Sequence, residues 1–439
     1  MPQLLFHRAV AVAAWLLAFG LGWDSPRGLA AEVRVVGNSA TGFQLLRDGQ
    51  PFVIRGAGGT TELATLAACG GNAIRTWDAA SAERVENNRS LLDTAQEHGI
   101  AVMVGLWLGH ERHGFKYGDP AQLEKQREEV EAAVRRLKGH PAVLAWGLGN
   151  EMEGPGGPGD SPAIWQEVEQ LARRIKAIDP GHPVMTIVAN VNPAKLKAIR
   201  AHAPSIDILG INAYADAARI GDKLRDAEWD KPYCITEFGV AGPWESPHTA
   251  WNAPIEPTTR EKAAQTFVAC RRIMEDEGNC LGSFAFLWGS KQEATASWFG
   301  ILLPTGEKTP RADALARAWT GDWPKDRAPV LEETEIPIAG RRVGPGERFE
   351  IHARYRDPEG AQLAYRWDVR EESSDRREGG DAERPPALIP DAVEPAATPG
   401  RATLTTPRRP GSYRLFVTVL DGNGSGCMDN WAFHVDSEH

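Results

Sequence analysis

Apolar runs without polar alternation recur along the chain at residues 52–56, 72–77, 100–108, 143–149, 184–189, 206–213, 232–236 and 282–288. Runs of this kind predict strands buried on both faces, as in a parallel sheet covered by helices. Between and after them, residues 63–69, 81–97, 120–138, 161–178, 193–203, 217–227, 259–278 and 311–319 place apolar side chains at three and four spacing or carry helix start signals. Strands alternating with helices pair in parallel through right-handed crossovers, and eight such units predict a closed α/β barrel of the (β/α)8 or TIM type. A hairpin precedes it, from residues 33–36 through the turn Arg47-Asp-Gly-Gln50.

The pattern changes after residues 320–329, whose proline and charge content predicts an exposed linker. Beyond it no helix is expected. Residues 348–355, 363–369, 401–405, 413–420 and 430–435 alternate as short strands of a C-terminal β-sandwich, and 370–400, rich in charge, glycine and proline, reads as a long mobile loop. The expected organisation is a leader (1–31), the barrel with its hairpin (32–322), a linker (323–330) and an immunoglobulin-like sandwich (331–439).

The leader is expected from His7 and Arg8, an apolar run over residues 9–22, and small residues ending at Ala31. That run falls short of the roughly 20 residues that span a bilayer, so export to the periplasm or medium is expected, with no membrane insertion of the mature chain. Acidic residues outnumber basic ones, 59 to 49, and the net charge of -10 gives no reason to expect nucleic acid as a partner. Five cysteines are too scattered for a disulfide framework or a metal site, although Cys270 and Cys280 are close enough in sequence to bridge. No cofactor or metal is called for. Fifteen tryptophans are many for a chain of 439 residues, and flat aromatic rings stack on the C–H faces of sugars, although core packing accounts for most tryptophans.

Two glutamates end apolar runs: Glu151 in Gly147-Leu-Gly-Asn150-Glu151, and Glu237 in Thr236-Glu237-Phe-Gly239. A carboxylate at the end of a buried strand is costly without a task, and catalytic groups of parallel barrels sit at the C-terminal strand ends. With Asp48-Gly49-Gln50-Pro51, Gly71-Asn-Ala-Ile-Arg75-Thr-Trp77, Asn212-Ala-Tyr214 and Phe286-Leu-Trp288-Gly, the strand ends over residues 42–320 resemble those of clan A retaining glycoside hydrolases, most closely the catalytic barrel of glycoside hydrolase family 2 and related glucanases. The resemblance implies that Glu151 is the general acid and base and Glu237, 86 residues later, the nucleophile. It further implies that Asn150 binds the sugar 2-hydroxyl, that Arg75 and Tyr214 hold the nucleophile ionised and oriented, and that Trp288 forms the aromatic floor of the cleavage subsite. Retaining cleavage by itself requires two carboxyl groups about 5–5.5 Å apart, one protonated and one ionised.

Loops after catalytic-face strand ends should shape a carbohydrate groove. Trp107, His110 and Glu111 follow the third strand, and Trp244 and Trp298 are candidate stacking platforms for further sugar units. The spacing of His110 and His113 does not set two imidazoles on one helical face, which excludes a zinc protease motif. The glycine-rich stretch 152–160 lacks the lysine and hydroxyl residue of a phosphate loop. The tail, with Tyr355-Arg-Asp357-Pro-Glu-Gly360 and Asp421-Gly-Asn-Gly424, resembles polycystic-kidney-disease or cadherin-like modules. Its aspartates read as turn formers, with calcium binding as the other possibility. Three functions are compatible with these residues: a secreted retaining glycosidase on β-linked glycans, with β-glucan the preferred substrate; a transglycosylase using the same glutamates; and a non-catalytic carbohydrate-binding or cell-envelope protein. The usual family 2 arrangement has sandwich domains ahead of the barrel, whereas here the sandwich follows it.

Overall fold

The computed structural model describes residues 30–154, 156–276 and 278–437, so all but the last two residues of the expected leader lie outside it. Eight parallel strands close into a barrel: Ile54–Gly58, Ala73–Arg75, Ala101–Leu106, Val143–Leu148, Val184–Ala189, Ile208–Asn212, Tyr233–Phe238 and Cys280–Ala285, the last pairing with the first. Every residue of the third, fourth and seventh strands is buried, which is why their sequences show no alternation. Helices such as Pro120–Leu137 and Pro162–Ile178 start on proline after a capping position and pack their apolar faces on the barrel.

One expected helix is broken. The stretch 81–97 divides into helix Ala79–Glu83, a tight antiparallel pair of two-residue strands, and helix Leu91–Glu97. Asn87 and Asn88 turn the chain at positive φ, and Ser90 with Asp93 forms a capping box that starts a new helix. Helical periodicity on either side of this turn mimics one continuous helix.

At the N-terminal end of the barrel the hairpin Val33–Asn38 and Gly42–Arg47 lies across the opening. Val33 and Leu45 join Ile54, Ala73, Met103, Leu144, Met185, Ile208 and Phe284 in one apolar cluster, so the barrel floor is sealed by its own leading segment.

Two antiparallel-rich sheets form the C-terminal sandwich. One contains Val330–Glu335, Arg348–Arg356, Arg401–Thr405 and Val393–Pro395; the other contains Arg342–Val343, Gly426–Val435, Gly411–Leu420, Ala364–Glu371 and Leu388–Ile389. Tyr355, Trp367, Leu415, Val417 and Phe433 fill the space between them. Residues 370–400 are not one long mobile loop: they contribute two short strands, and the part over 372–386 packs on the barrel. The linker is not exposed throughout either. Ala328 is fully buried and donates its backbone N–H to Asp313, at 2.6 Å.

The barrel and the sandwich share a polar seam. Asp429 accepts the Thr259 hydroxyl at 2.8 Å and the Tyr355 hydroxyl at 2.7 Å, and it also takes the Thr259 backbone N–H. Asn430 donates to Glu256 at 2.7 Å, and Glu256 also pairs with buried Lys262 at 2.6 Å. A buried donor that loses its acceptor costs about 1–3 kcal/mol. Asp429→Ala, which orphans donors from both units, is therefore expected to lower stability by about 2–3 kcal/mol. Urea unfolding should show it, with barrel and sandwich separating into two transitions, whereas Asp429→Asn keeps an acceptor and loses less.

Candidate active site

Arg75 ends the second barrel strand and points across the C-terminal mouth, 1 % exposed. Its Nη1 donates to Asn212 Oδ1 at 3.1 Å, to the Thr236 carbonyl at 2.8 Å and to Glu237 Oε1 at 3.2 Å, while Nη2 donates to Asn150 Oδ1 at 2.9 Å. A buried guanidinium is costly unless its donors find partners; those of the two terminal nitrogens come from the fourth, sixth and seventh strand ends, while Nε has none among the described residues. Glu237 receives two more hydrogen bonds, from Trp77 Nε1 at 3.0 Å and from the Tyr214 hydroxyl at 2.6 Å. Three donors on one carboxylate fix its rotamer.

Glu151 has a different environment. It follows Gly149, at φ 71°, and itself adopts φ 52°. A Cβ on Gly149 would meet Met152 Sδ at 2.1 Å, so glycine is required there. A glutamate in the left-handed region is uncommon, and such strain clusters at functional sites. The loop beyond is held by Glu153, which accepts Lys195 Nζ at 2.7 Å and the Ala189 N–H at 2.9 Å. Glu151 Oε1 takes one hydrogen bond, from Asn212 Nδ2 at 2.7 Å. Burial first, and the charge of Glu237 second, push its carboxyl up to about 7. Asn212 and Arg75 thus join two carboxyl groups in different surroundings, one ion-paired and hydrogen-bonded three times, the other with its pKa raised by burial. Such a pair can protonate at one point while attacking or stabilising positive charge at another.

Of the residues singled out from sequence, Glu151, Glu237, Arg75, Asn150 and Tyr214 converge in this network. The tryptophans divide. Trp244 is 62 % exposed, edge-on to Tyr214, and available to a ligand; Trp107 is half-exposed and stacked on His110 at 4.7 Å. Trp298 is fully buried with its N–H on the Ala241 carbonyl, which overturns its assignment as a stacking platform. Trp288 is buried too, its indole N–H toward the Glu62 carbonyl at 3.4 Å, although it lines a cavity with Trp77, and Phe286 packs edge-on between Trp77 and Tyr214. His110 is buried, with neither ring nitrogen partnered among the described residues, and burial pushes it down to about 4. Glu111 lies exposed on a short turn of helix.

Trp77, Asn212 and Phe286 are site residues that the sequence motifs contained but did not single out. Alternation was the available signal: Trp77 lies two positions after Arg75, and Asn212 two before Tyr214, so each shares its partner's face. Elsewhere, all five cysteines are free, Cys270 and Cys280 included. Asp357 and Asp421 each accept two backbone N–H groups of their own turns. Among the described residues no group of three or more His, Cys, Asp or Glu could hold a metal ion, and no helix is long and apolar enough to cross a membrane.

A closed parallel barrel with two glutamates at its C-terminal mouth, one of them on strand seven, is the arrangement of clan A glycoside hydrolases. Residues 64–252, under half of the chain, match the family described as glycosyl hydrolases family 2, TIM barrel domain. This segment contains Arg75, Trp77, Asn150, Glu151, Asn212, Tyr214 and Glu237. Similar proteins include the beta-glucuronidase of Pongo abelii, 31% identical over 207 residues that make up 42% of this chain and 28% of that protein. The beta-glucuronidase of Sus scrofa is 28% identical over 264 residues, 55% of this chain and 35% of that one. The chain thus matches about a third or less of the length of these relatives. In fold it resembles the beta-D-glucuronidase of Dictyoglomus thermophilum, with a TM-score of 0.50 and 18% identity over 67% of this chain and 55% of that one.

The Glu151 carboxyl is expected to titrate near pH 7. Glu237→Gln removes the like charge and should move that titration downward, yet leave it above an ordinary glutamate, because burial is the larger cause. Infrared difference spectra of the carboxyl band across pH 4–9 would check both points.

Proposed function

We propose that this protein is a retaining β-glycosidase in which Glu237 is the nucleophile and Glu151 the general acid and base. The observation that carries the reading is the asymmetry of the two carboxyls: Glu237 takes donors from Arg75, Trp77 and Tyr214, while Glu151 has only Asn212 and a carboxyl raised to about 7. In the first step a Glu237 oxygen bonds to the anomeric carbon as the glycosidic C–O bond breaks, and the Glu151 proton goes to the leaving oxygen. In the second, the Glu151 carboxylate takes a proton from water, whose oxygen bonds to the anomeric carbon and releases Glu237. Asn150 and Asn212 border the place where the sugar 2-hydroxyl would lie, and Phe286 provides the apolar floor. An acceptor sugar in place of water gives the transglycosylase outcome.

For substrate we favour a neutral β-linked sugar, with β-glucan the first to test. A uronate carboxylate calls for an uncommitted cation. Arg75 is already engaged by Glu237 and two asparagines, and Lys291 is held by Glu293 at 2.9 Å. A β-glucuronide is the second reading, supported by the names of the relatives. Export remains our expectation from residues 1–31, and N-terminal sequencing of the protein recovered from outside the cell tests it.

The roles separate experimentally. Glu237→Ala should abolish turnover of every substrate, whereas Glu151→Ala should lose about 10²–10⁴-fold on natural glycans and much less on dinitrophenyl β-glycosides, whose leaving group needs no proton. Equal losses for both kinds of substrate would remove Glu151 as the acid. Because the acid must be protonated, kcat/KM should fall as pH rises through about 7, and this limb should vanish in Glu151→Ala. Proton NMR of the first product should show the β-anomer. Hydrolysis of nitrophenyl β-glucuronide but not of the β-glucoside would replace the neutral-sugar reading with the glucuronide one, and oligosaccharide binding without any turnover would favour a carbohydrate-binding protein.

A further inference from the structure

The sandwich reaches the catalytic face of the barrel. Its segment 372–386 runs from the loop after the third barrel strand to the loop after the eighth. Asp381 pairs with His113 at 3.0 Å and with Arg112 at 3.4 Å. His113 stacks on His110, which stacks on Trp107, so a row of rings beside the site ends on the sandwich. From the loop after the eighth strand Lys291 Nζ donates to the neighbouring Gly380 carbonyl at 2.5 Å, and Glu383 accepts the Ala294 N–H at 2.8 Å. Glu383 is buried, and its charge, like that of Glu237, acts on Glu293. Gly379 could not be another residue without displacing Arg112, whose guanidinium lies 2.6 Å from where a Cβ would stand.

Between the sandwich and the barrel, bordered by Pro385 and Pro386 of this strap, lies a cavity of about 900 Å³. Barrel residues Thr61, Trp77 and Gln292 form one side, and Arg366, Arg370 and Pro386 of the sandwich form the other. Trp77 belongs both to this cavity and to the catalytic network, since its indole N–H is bonded to Glu237. Gln292 lines this cavity, and its Nε2 is buried beside it without a partner among the described residues. Binding sites for small ligands run from roughly 300 to 1,000 Å³ and pair apolar walls with a few polar groups. The exposed Arg366 is tied to Asp368 at 3.1 Å, an arrangement in which guanidinium and carboxylate together can bond a diol.

We propose that this cavity is a sugar-binding subsite adjoining the catalytic centre, walled on one side by the C-terminal sandwich, which thereby selects the oligosaccharide that the barrel receives. The inference rests on the glycosidase reading and deepens it. It makes the C-terminal unit a specificity element, and it assigns Gln292 and Arg366 to substrate binding away from the reacting atoms.

The test uses the full chain with Gln292→Ala, Arg366→Ala and Thr61→Trp, the last filling the cavity. Substrates are nitrophenyl β-glucoside, which occupies the cleavage subsite alone, and the β-glucan tetrasaccharides cellotetraose and laminaritetraose. The expected result is a rise of about tenfold in tetrasaccharide KM with little change in kcat, and kcat/KM for the small glycoside within twofold of the parent. Calorimetric titration of the same tetrasaccharides into these variants in a Glu237→Gln background reads the subsite without turnover. Unchanged tetrasaccharide KM and affinity in all three variants overturn the subsite and leave the glycosidase reading standing. Parent protein that binds tetrasaccharide through these residues but hydrolyses nothing overturns the glycosidase reading and retains the subsite. Parent protein that neither binds nor cleaves either tetrasaccharide overturns the subsite for β-glucans.

Discussion

The guanidinium of Arg75 is the interaction on which the rest of the site depends. Fully enclosed at the end of a three-residue strand, it must find acceptors, and it finds them on strands four, six and seven. That requirement fixes Asn150, Asn212 and Glu237 relative to one another across a mouth whose strands touch only their neighbours. The same cation sits over the Trp77 ring, 5.0 Å from Arg75 Cζ to the ring centroid, and so orients the indole that hydrogen-bonds Glu237. Without it, two acidic groups near each other at a low-dielectric strand end would repel and take up protons. With it, one carboxyl is ion-paired, while the other, without a cationic partner, has its pKa raised by burial.

Much of this was legible in the sequence because a buried parallel strand leaves a plain signature. Runs such as Val143–Leu148 and Tyr233–Phe238 allow no polar residue until the strand end, so the asparagine and glutamates there stand out against their background. The tryptophans were less legible. Trp288 and Trp298 carry the same composition signal as Trp244, but whether a large ring faces a ligand or the core depends on how the last loop folds back, and no local pattern encodes that. Phe286 rather than Trp288 packs on Tyr214 for the same reason: the two lie two positions apart just after the eighth strand, and tertiary packing decides which meets that ring. The turn at Asn87 and Asn88 was hidden by helical periodicity on both sides.

The sandwich was legible as alternating strands, whereas its relation to the barrel was not. A stretch rich in charge, glycine and proline reads as solvent-exposed chain, yet here its acidic side chains find the cations and backbone donors of barrel loops. Complementarity between distant segments leaves no trace in either one alone. The buried seam around Asp429, Asn430 and Glu256 adds a second fixed contact, so the two units meet at more than a hinge.

The hairpin across the barrel floor carries a consequence for traffic. With Val33 and Leu45 packed into the lower interior, the described residues close the barrel from beneath, and in the proposed reaction sugar, departing alcohol and water share the mouth at the other end. In a double-displacement reaction, water then gains the anomeric carbon only after the first product has vacated the doorway. Partition between water and a second sugar becomes a contest over that vacancy, decided by which occupant lingers longer beside Phe286 and Trp244.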